Sequence, residues 1–465
     1  MTQYNYNSED LLKPIDLTER EEFLLKESKV FCMYPWVHLH AFPNGDAYPC
    51  CHAETAYPVG SCRDKTLEQI YFDKPMQKLR DDLLSERPNP TCDRCYEQER
   101  MGLFSGRKSA NKHHGHNIKK IHDNKFQMTY WDIRFSNLCN LSCRTCGDIF
   151  SSSWHQDQQS LIQELFLSSY QDAADPSWPQ IQSIQDFLEL PEHIKKECSQ
   201  VHNINPPYSN DNKTVKISPL VYAGRWETDM WEQLEPHLDY VEQIYFAGGE
   251  PLLMEEHYHI LEELVRRERL DVRLIYNTNF THTKLKNRSV FEYWSMFKSV
   301  AVGASLDGEG LRAEYIRHGT KWDTILRNRY EMLEKCPNTD FYISPTLSLL
   351  NAIHLPDFHR SWVDKGLIKA QDFNMNVLQG PPWYRVDVAN ANYKDKIRNR
   401  YQEHLEWLQP LDRLERASVG FKSALNFLDN DNSKWLVDFW KKTRALDKIR
   451  NQNILDFIPE LRELQ

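Results

Sequence analysis

The sequence predicts an α/β protein: a parallel sheet, open or curled into a partial (β/α)6 barrel, preceded by a small cysteine-bearing α+β unit and followed by a helical extension. Three observations predict it. From about 128 to 385, short β-prone runs alternate with amphipathic helical segments, the order a parallel sheet requires. Of the 11 cysteines, all but Cys198 and Cys336 precede residue 150. Beyond 386, apolar residues recur at helical spacing, with Ile397, Tyr401, Leu405 and Leu408 on one face and Phe421, Leu425 and Leu428 on another.

Residues 1–30 read as an arm with one short helix, in which Leu17, Phe23 and Leu24 are the docking candidates. A cysteine-bearing unit spans 31–101. It opens with two β-prone runs around Pro43-Asn44-Gly45-Asp46, a hairpin signal, and continues with a helix over roughly 67–85. Residues 102–127 are polar and basic with little apolar periodicity, which predicts a linker with solvated charges. The alternating region follows. MTYWDIRFS, VEQIYFAGG, VRLIYNTN, SVAVGASLD, FYISPTL and FNMNVLQG are its candidate strands, each ending in a polar or turn residue. One intervening helix sets Ile260, Leu261, Leu264 and Val265 against Glu262, Glu263, Arg266 and Arg267. An insertion at about 150–235 breaks the rhythm, with helix-like stretches at 159–167 and 180–198 and a polar loop at 203–213. Connections that long usually carry function or lack structure. Residues 386–465 complete the chain as a helical region.

The chain has 465 residues, 57 basic against 67 acidic side chains, and a net charge of -10. An acidic balance disfavours nucleic acid or anionic lipid as a general partner, since both need excess Lys and Arg. There is no apolar run of the roughly 18 residues that a membrane span needs. The opening MTQYNYNSEDLLKPIDLTEREEF lacks the basic-then-apolar order of a signal peptide, so a cytoplasmic location is expected. An odd number of cysteines in a reducing compartment points to metal or catalysis rather than to disulfides.

Directly after the first predicted strand, NLCNLSCRTCGD sets Cys139, Cys143 and Cys146 in a C-x3-C-x2-C array. Three thiolates from one short loop can converge on one inorganic cluster and leave one iron open. A zinc loop is the alternative, although zinc knuckles usually pair two C-x2-C units. This array after the first strand of a parallel α/β domain resembles the radical S-adenosylmethionine (AdoMet) enzymes. The resemblance implies a [4Fe–4S] cluster on Cys139, Cys143 and Cys146 that reduces bound AdoMet. It extends to Gly248-Gly249-Glu250-Pro251 at the end of the second strand, similar to the family's GGEP segment, which holds the amino group of AdoMet. It further implies AdoMet contacts from Asn277, Ser305, Asp307 and Arg317 at later strand ends, and from Val377 and Leu378 on the sixth strand beside the adenine. One position departs: the residue before the third cysteine is often aromatic in the family and here is Thr145.

The N-terminal cysteines tell a second story. Cys32, a hairpin through Gly45, Cys50, a helix and then Cys92-Asp93-Arg94-Cys95 resemble the twitch or SPASM domain, here ahead of the catalytic core. The resemblance implies a second, fully ligated [4Fe–4S] cluster on Cys32, Cys50, Cys92 and Cys95; Cys51 or Cys62 as a substitute ligand, or structural zinc, are the alternatives. It also implies a reducing partner such as flavodoxin or ferredoxin. The implied substrate is a peptide or protein side chain, with a small molecule as the other class and a non-catalytic electron carrier as the remaining reading. His113, His114 and His116 read as solvated linker residues, with a transition-metal site as the alternative.

Overall fold

The computed structural model describes residues 16–100, 104–173, 178–202 and 230–465. The predicted loop at 203–213 lies outside the described residues. The strands, in chain order, are β1 (His40–Ala41), β2 (Asp46–Tyr48), β3 (Gly60–Ser61), β4 (Tyr130–Ile133), β5 (Gln243–Phe246), β6 (Arg273–Thr278), β7 (Lys284–Leu285), β8 (Arg288–Ser289), β9 (Val300–Ala304), β10 (Asp340–Ile343), β11 (Thr346–Leu347) and β12 (Asn376–Val377).

The central sheet runs β10-β9-β6-β5-β4-β1-β2-β3. β4, β5, β6, β9 and β10 are parallel neighbours, the first four of the six predicted runs giving one strand each. The fifth run divides at Ser344-Pro345 into β10 and β11, because proline cannot donate to a ladder. The sixth run joins through a single bridge, Ile343 to Phe373, and then through β12 on β11. Alternation along the strands sorts the two faces. Trp131, Ile133, Ile244, Phe246, Leu274, Tyr276, Val300 and Val302 belong to the main apolar core, while Tyr130, Tyr245, Ile275, Ala301 and Tyr342 form a separate cluster. The second set shares its side of the pleat with Asp132, Arg134, Ala247, Asn277 and Gly303, so this face carries the polar strand ends.

The cysteine unit is not a separate layer. β1 pairs in parallel with β4, setting His40 opposite Asp132 and Ala41 opposite Ile133, so the hairpin extends the main sheet. Gly45 turns that hairpin at φ +92°, a value that glycine adopts without strain. The helix expected over 67–85 is two, Leu67–Phe72 and Lys74–Leu84, divided at Asp73, whose side chain caps the second. In the N-terminal arm the helix Glu19–Lys26 has a capping box on Thr18 and buries Leu24, with Leu17 and Phe23 packed partly on the core.

The basic stretch predicted as a solvated linker is instead an ordered clamp. It forms a helix, Gly106–His114, and a 3-10 turn, Gly115–His122. Arg107 is buried, pairs with Glu99 at 2.5 Å and donates to the carbonyls of Ser28 and Phe31. Asn111 accepts from the backbone N–H of Met33 and donates to the carbonyl of Phe31. His113 bonds within its own helix, His114 stacks on Tyr130 and His116 pairs with Glu242, so each histidine has a partner within the fold rather than lying in solvent. Composition misleads here because buried partners satisfy the charges.

The insertion carries its own small core. The helix Trp154–Ala173 and the shorter helices Ile184–Leu188 and Glu192–Val201 bury Phe166, Tyr170, Trp178, Phe187 and Cys198 together. The C-terminal region is helical as predicted, over Ala391–Leu408, Arg416–Phe427 and Leu436–Arg450, and Ile397, Tyr401, Leu408 and Phe421 are fully buried. No helix among the described residues is long and apolar enough to cross a membrane.

Candidate active site

The loop after β4 reads Asn137 to Asp148, and its shape is set by hydrogen bonds rather than by an apolar core. Asn137 donates to the carbonyl of Asp148 and Ser151 to that of Leu141; Ser153 donates to the carbonyl of Cys139, and the Trp154 indole to that of Cys143. These bonds hold Cys139, Cys143 and Cys146 against a cavity of about 260 Å³. Gly248, Gly249, Asn277, Thr278, Asn279, Ser305 and Arg317 supply other walls. Thus the strand ends of β4, β5, β6 and β9 meet at one cavity, as a parallel sheet places them.

Burial pushes the thiols of Cys139 and Cys146 up to about 12, with Cys143 adding to both. Burial likewise raises Cys143, which Arg317 partly offsets. The free thiols are therefore held neutral, and ionising all three in this confined space sets their charges against one another. Binding an iron–sulfur cluster as thiolates removes that conflict. Arg317 approaches Cys143 Sγ at 3.8 Å and lies 2.8 Å from Asp307.

The glycine pair has a different reason than ligand approach alone. A Cβ on Gly249 would lie 2.2 Å from the carbonyl oxygen of Leu138, and Gly248 stands at φ +126°. The backbone N–H of Glu250 donates to that same Leu138 carbonyl at 2.7 Å. The glycines therefore let the β5 strap lie flat on the cysteine loop.

The other predicted contacts divide. Asn277 and Ser305 line the cavity, and Asn277 Oδ1 is buried without a hydrogen-bond partner, an acceptor available to a ligand. Glu250, Pro251, Asp307 and Val377 do not line it. Glu250 is wholly buried and accepts from Thr278 Oγ1 and from the backbone N–H of Asn279, each at 2.6 Å, tying β5 to β6. Its carboxyl is pushed up to about 7 by burial, against those hydrogen bonds. Asp307 is equally buried and accepts from the backbone N–H of Thr346. Val377 sits on β12, paired with Leu347.

Several cavity residues escape a reading of the sequence. Tyr245 and Phe150 bring aromatic rings to the wall where Thr145 offers none, and Arg134 brings a cation. Tyr245 and Arg134 share the face of Tyr130 and Asp132, so strand alternation from the cysteine loop backwards is the signal that finds them. The brace behind the loop is also long-range. Arg144 is fully buried, pairs with Asp447 and stacks on Tyr315; Arg450 donates to the Ser142 carbonyl at 2.7 Å.

In the N-terminal unit, burial raises Cys32, and Cys92 and Cys95 raise it further. Burial raises Cys50, as do Cys51, Cys95, Cys32 and Cys92. The four predicted ligands are thus mutual neighbours. Cys62 interacts with Asp46 and Asp64, whereas Cys51 adjoins Cys50 and faces Asp132 and Arg134.

Residues 32–96 match the SPASM family, an iron–sulfur cluster-binding domain. No curated protein matches the chain. Among solved structures, anSMEcpe with bound AdoMet and the Cp18Cys peptide is 17% identical, with a TM-score of 0.30 over 39% of this chain and 52% of that one. TYW1 with a lysine-pyruvate adduct is 13% identical, with a TM-score of 0.26 over 60% of this chain and 71% of that one. The match thus spans about half the length of the anSMEcpe chain.

Proposed function

We propose that the chain is a radical AdoMet enzyme whose sheet is a partial (β/α)6 barrel and whose N-terminal unit is a SPASM-type auxiliary-cluster domain. The observation that carries this reading is the convergence of Cys139, Cys143 and Cys146 with the Gly248-Gly249 strap, Asn277, Ser305 and Arg317 on one cavity. A [4Fe–4S] cluster bound at that loop would supply the one-electron reduction of AdoMet from which hydrogen abstraction on a substrate starts.

The chain's own residues bind, orient and exclude water. Cys139, Cys143 and Cys146 would hold the cluster, three ligands that would leave it open to AdoMet. Gly248 and Gly249 offer backbone groups, Asn277 its unpartnered amide oxygen and Ser305 its hydroxyl, a set suited to an amino acid and a ribose. Arg317 is positioned by Asp307 and offers a guanidinium to a carboxylate. Tyr245 and Phe150 are flat surfaces for an adenine, in place of the aromatic absent at Thr145. Cys32, Cys50, Cys92 and Cys95 hold the second [4Fe–4S] cluster. The proposed substrate is a peptide or protein side chain, and the proposed reductant a flavodoxin or ferredoxin; both rest on the resemblance of the N-terminal unit.

Anaerobic loading with iron and sulfide, then dithionite and AdoMet, tests the reading. It predicts about eight irons per chain, the sum of two four-iron clusters, and 5′-deoxyadenosine as product. Fully loaded protein that forms none, with or without candidate substrates, contradicts it. Deuterium transfer from labelled peptides or small molecules into that product separates the substrate classes.

A further inference from the structure

At the seam where β1 joins β4 stand three wholly buried side chains, His38, His40 and Asp132. One donor atom from each lies within 4.8 Å of the others. His38 Nδ1 faces the carbonyl of Tyr130 at 3.1 Å and His40 Nδ1 that of Asp132 at 3.0 Å. A ring that gives its Nδ1 proton to a carbonyl keeps a lone pair on Nε2. Both Nε2 atoms are buried without a hydrogen-bond partner, while Asp132 Oδ2 lies 3.1 Å from His40 Nδ1. Two buried imidazole acceptors beside a buried carboxylate, with no donor to either Nε2, are costly unless something electron-poor joins them.

We infer that His38, His40 and Asp132 form a mononuclear site for a divalent transition-metal ion, separate from both cysteine sites. Histidine that donates one ring nitrogen to a backbone carbonyl and presents the other is the arrangement by which metal-ligating imidazoles are oriented. The charges narrow the ion. Arg134 Nε lies 3.0 Å from Asp132 Oδ1. Arg134 thus balances the carboxylate's charge and leaves Oδ2 unshared with it. Two imidazoles and one carboxylate favour zinc over calcium or magnesium, which need several oxygen ligands. Cys51 adjoins Asp132 but lies outside the donor set. The ion would fasten the cysteine hairpin to the core strand, next to Arg134 on the cavity wall.

The site is tested on protein first loaded with iron and sulfide, so that the cysteines are occupied. One equivalent of zinc sulfate is then added, the protein desalted, and zinc and iron counted. The expected result is about one zinc per chain, falling at least about fivefold in His38→Gln and in His40→Gln with iron unchanged. Zinc retained equally by wild type and both variants, or not retained by wild type, overturns the proposal. Should either variant also lose iron, the zinc X-ray absorption spectrum of the wild type decides. A shell of nitrogen and oxygen at about 2.0–2.1 Å supports the site, and a sulfur shell at about 2.3 Å contradicts it. Neither readout depends on AdoMet chemistry.

Discussion

Cys139, Cys143 and Cys146 face a cavity walled by polar strand ends, whereas Cys32, Cys50, Cys92 and Cys95 line no part of it and lie among Tyr34, Tyr96 and Arg107. The two sites also differ in how they are held. The first is one loop, shaped by side chains that bond to its carbonyls and braced from behind by the C-terminal helix. The second gathers cysteines from a turn, a hairpin and a helix, and is clamped by the basic segment 104–122 through Arg107 and Asn111. The surroundings suit the proposed division: Cys139, Cys143 and Cys146 face a cavity with room for a further ligand, and the N-terminal cysteines are enclosed by their own fold.

The difference can be broken most severely at the brace. Asp447 receives Arg144, the hydroxyl of Tyr315 at 2.9 Å and the backbone N–H of Ile454 at 2.8 Å. Asp447→Ala leaves a buried guanidinium uncompensated and is expected to cost about 4 kcal/mol in denaturant unfolding. It should lower the iron held at the three-cysteine loop before that at the four-cysteine site. Next in size is Gly249→Ala, expected to cost about 3 kcal/mol because the new Cβ meets backbone rather than a movable side chain. Gly147→Ala, in the same loop, meets nothing within 4 Å and should leave stability and iron unchanged.

A smaller effect concerns Glu250. Its carboxyl titrates at about 7 in the fold, above its ordinary value of 4.5, so the folded state holds the proton more tightly than the unfolded chain. Its contribution is fully present below about pH 4.5 and is lost as pH rises through about 7. Unfolding of the cluster-free protein should therefore show a loss of roughly 2 kcal/mol between about pH 5 and pH 8 that Glu250→Gln abolishes. An equal loss in the variant would assign the pH dependence elsewhere.

Much of this was legible because it is local. The C-x3-C-x2-C spacing, the Gly248-Gly249 turn, the Gly45 hairpin and the alternation of strands and helices each lie within a few residues. What was hidden depends on partners far along the chain. Arg107 reads as a linker charge until Glu99 and the carbonyls of Ser28 and Phe31 surround it, and Arg144 has no visible role until Asp447 packs beside it. Val377 was placed at the adenine because the sixth run was expected to continue the main sheet; Pro345 diverts that edge into β11 and β12. Glu250 and Asp307 read as ligand groups from their motifs, yet their carboxylates bond to neighbouring strands.

Electron paramagnetic resonance of the dithionite-reduced protein, with and without AdoMet, tests the contrast most directly. In Cys92→Ala/Cys95→Ala protein, AdoMet is predicted to change the spectrum of the remaining cluster. In Cys139→Ala/Cys143→Ala/Cys146→Ala protein it is predicted to leave the remaining cluster's spectrum unaltered. The reverse pattern, or loss of all iron from the triple variant, would contradict the assignment of the open site to the loop after β4.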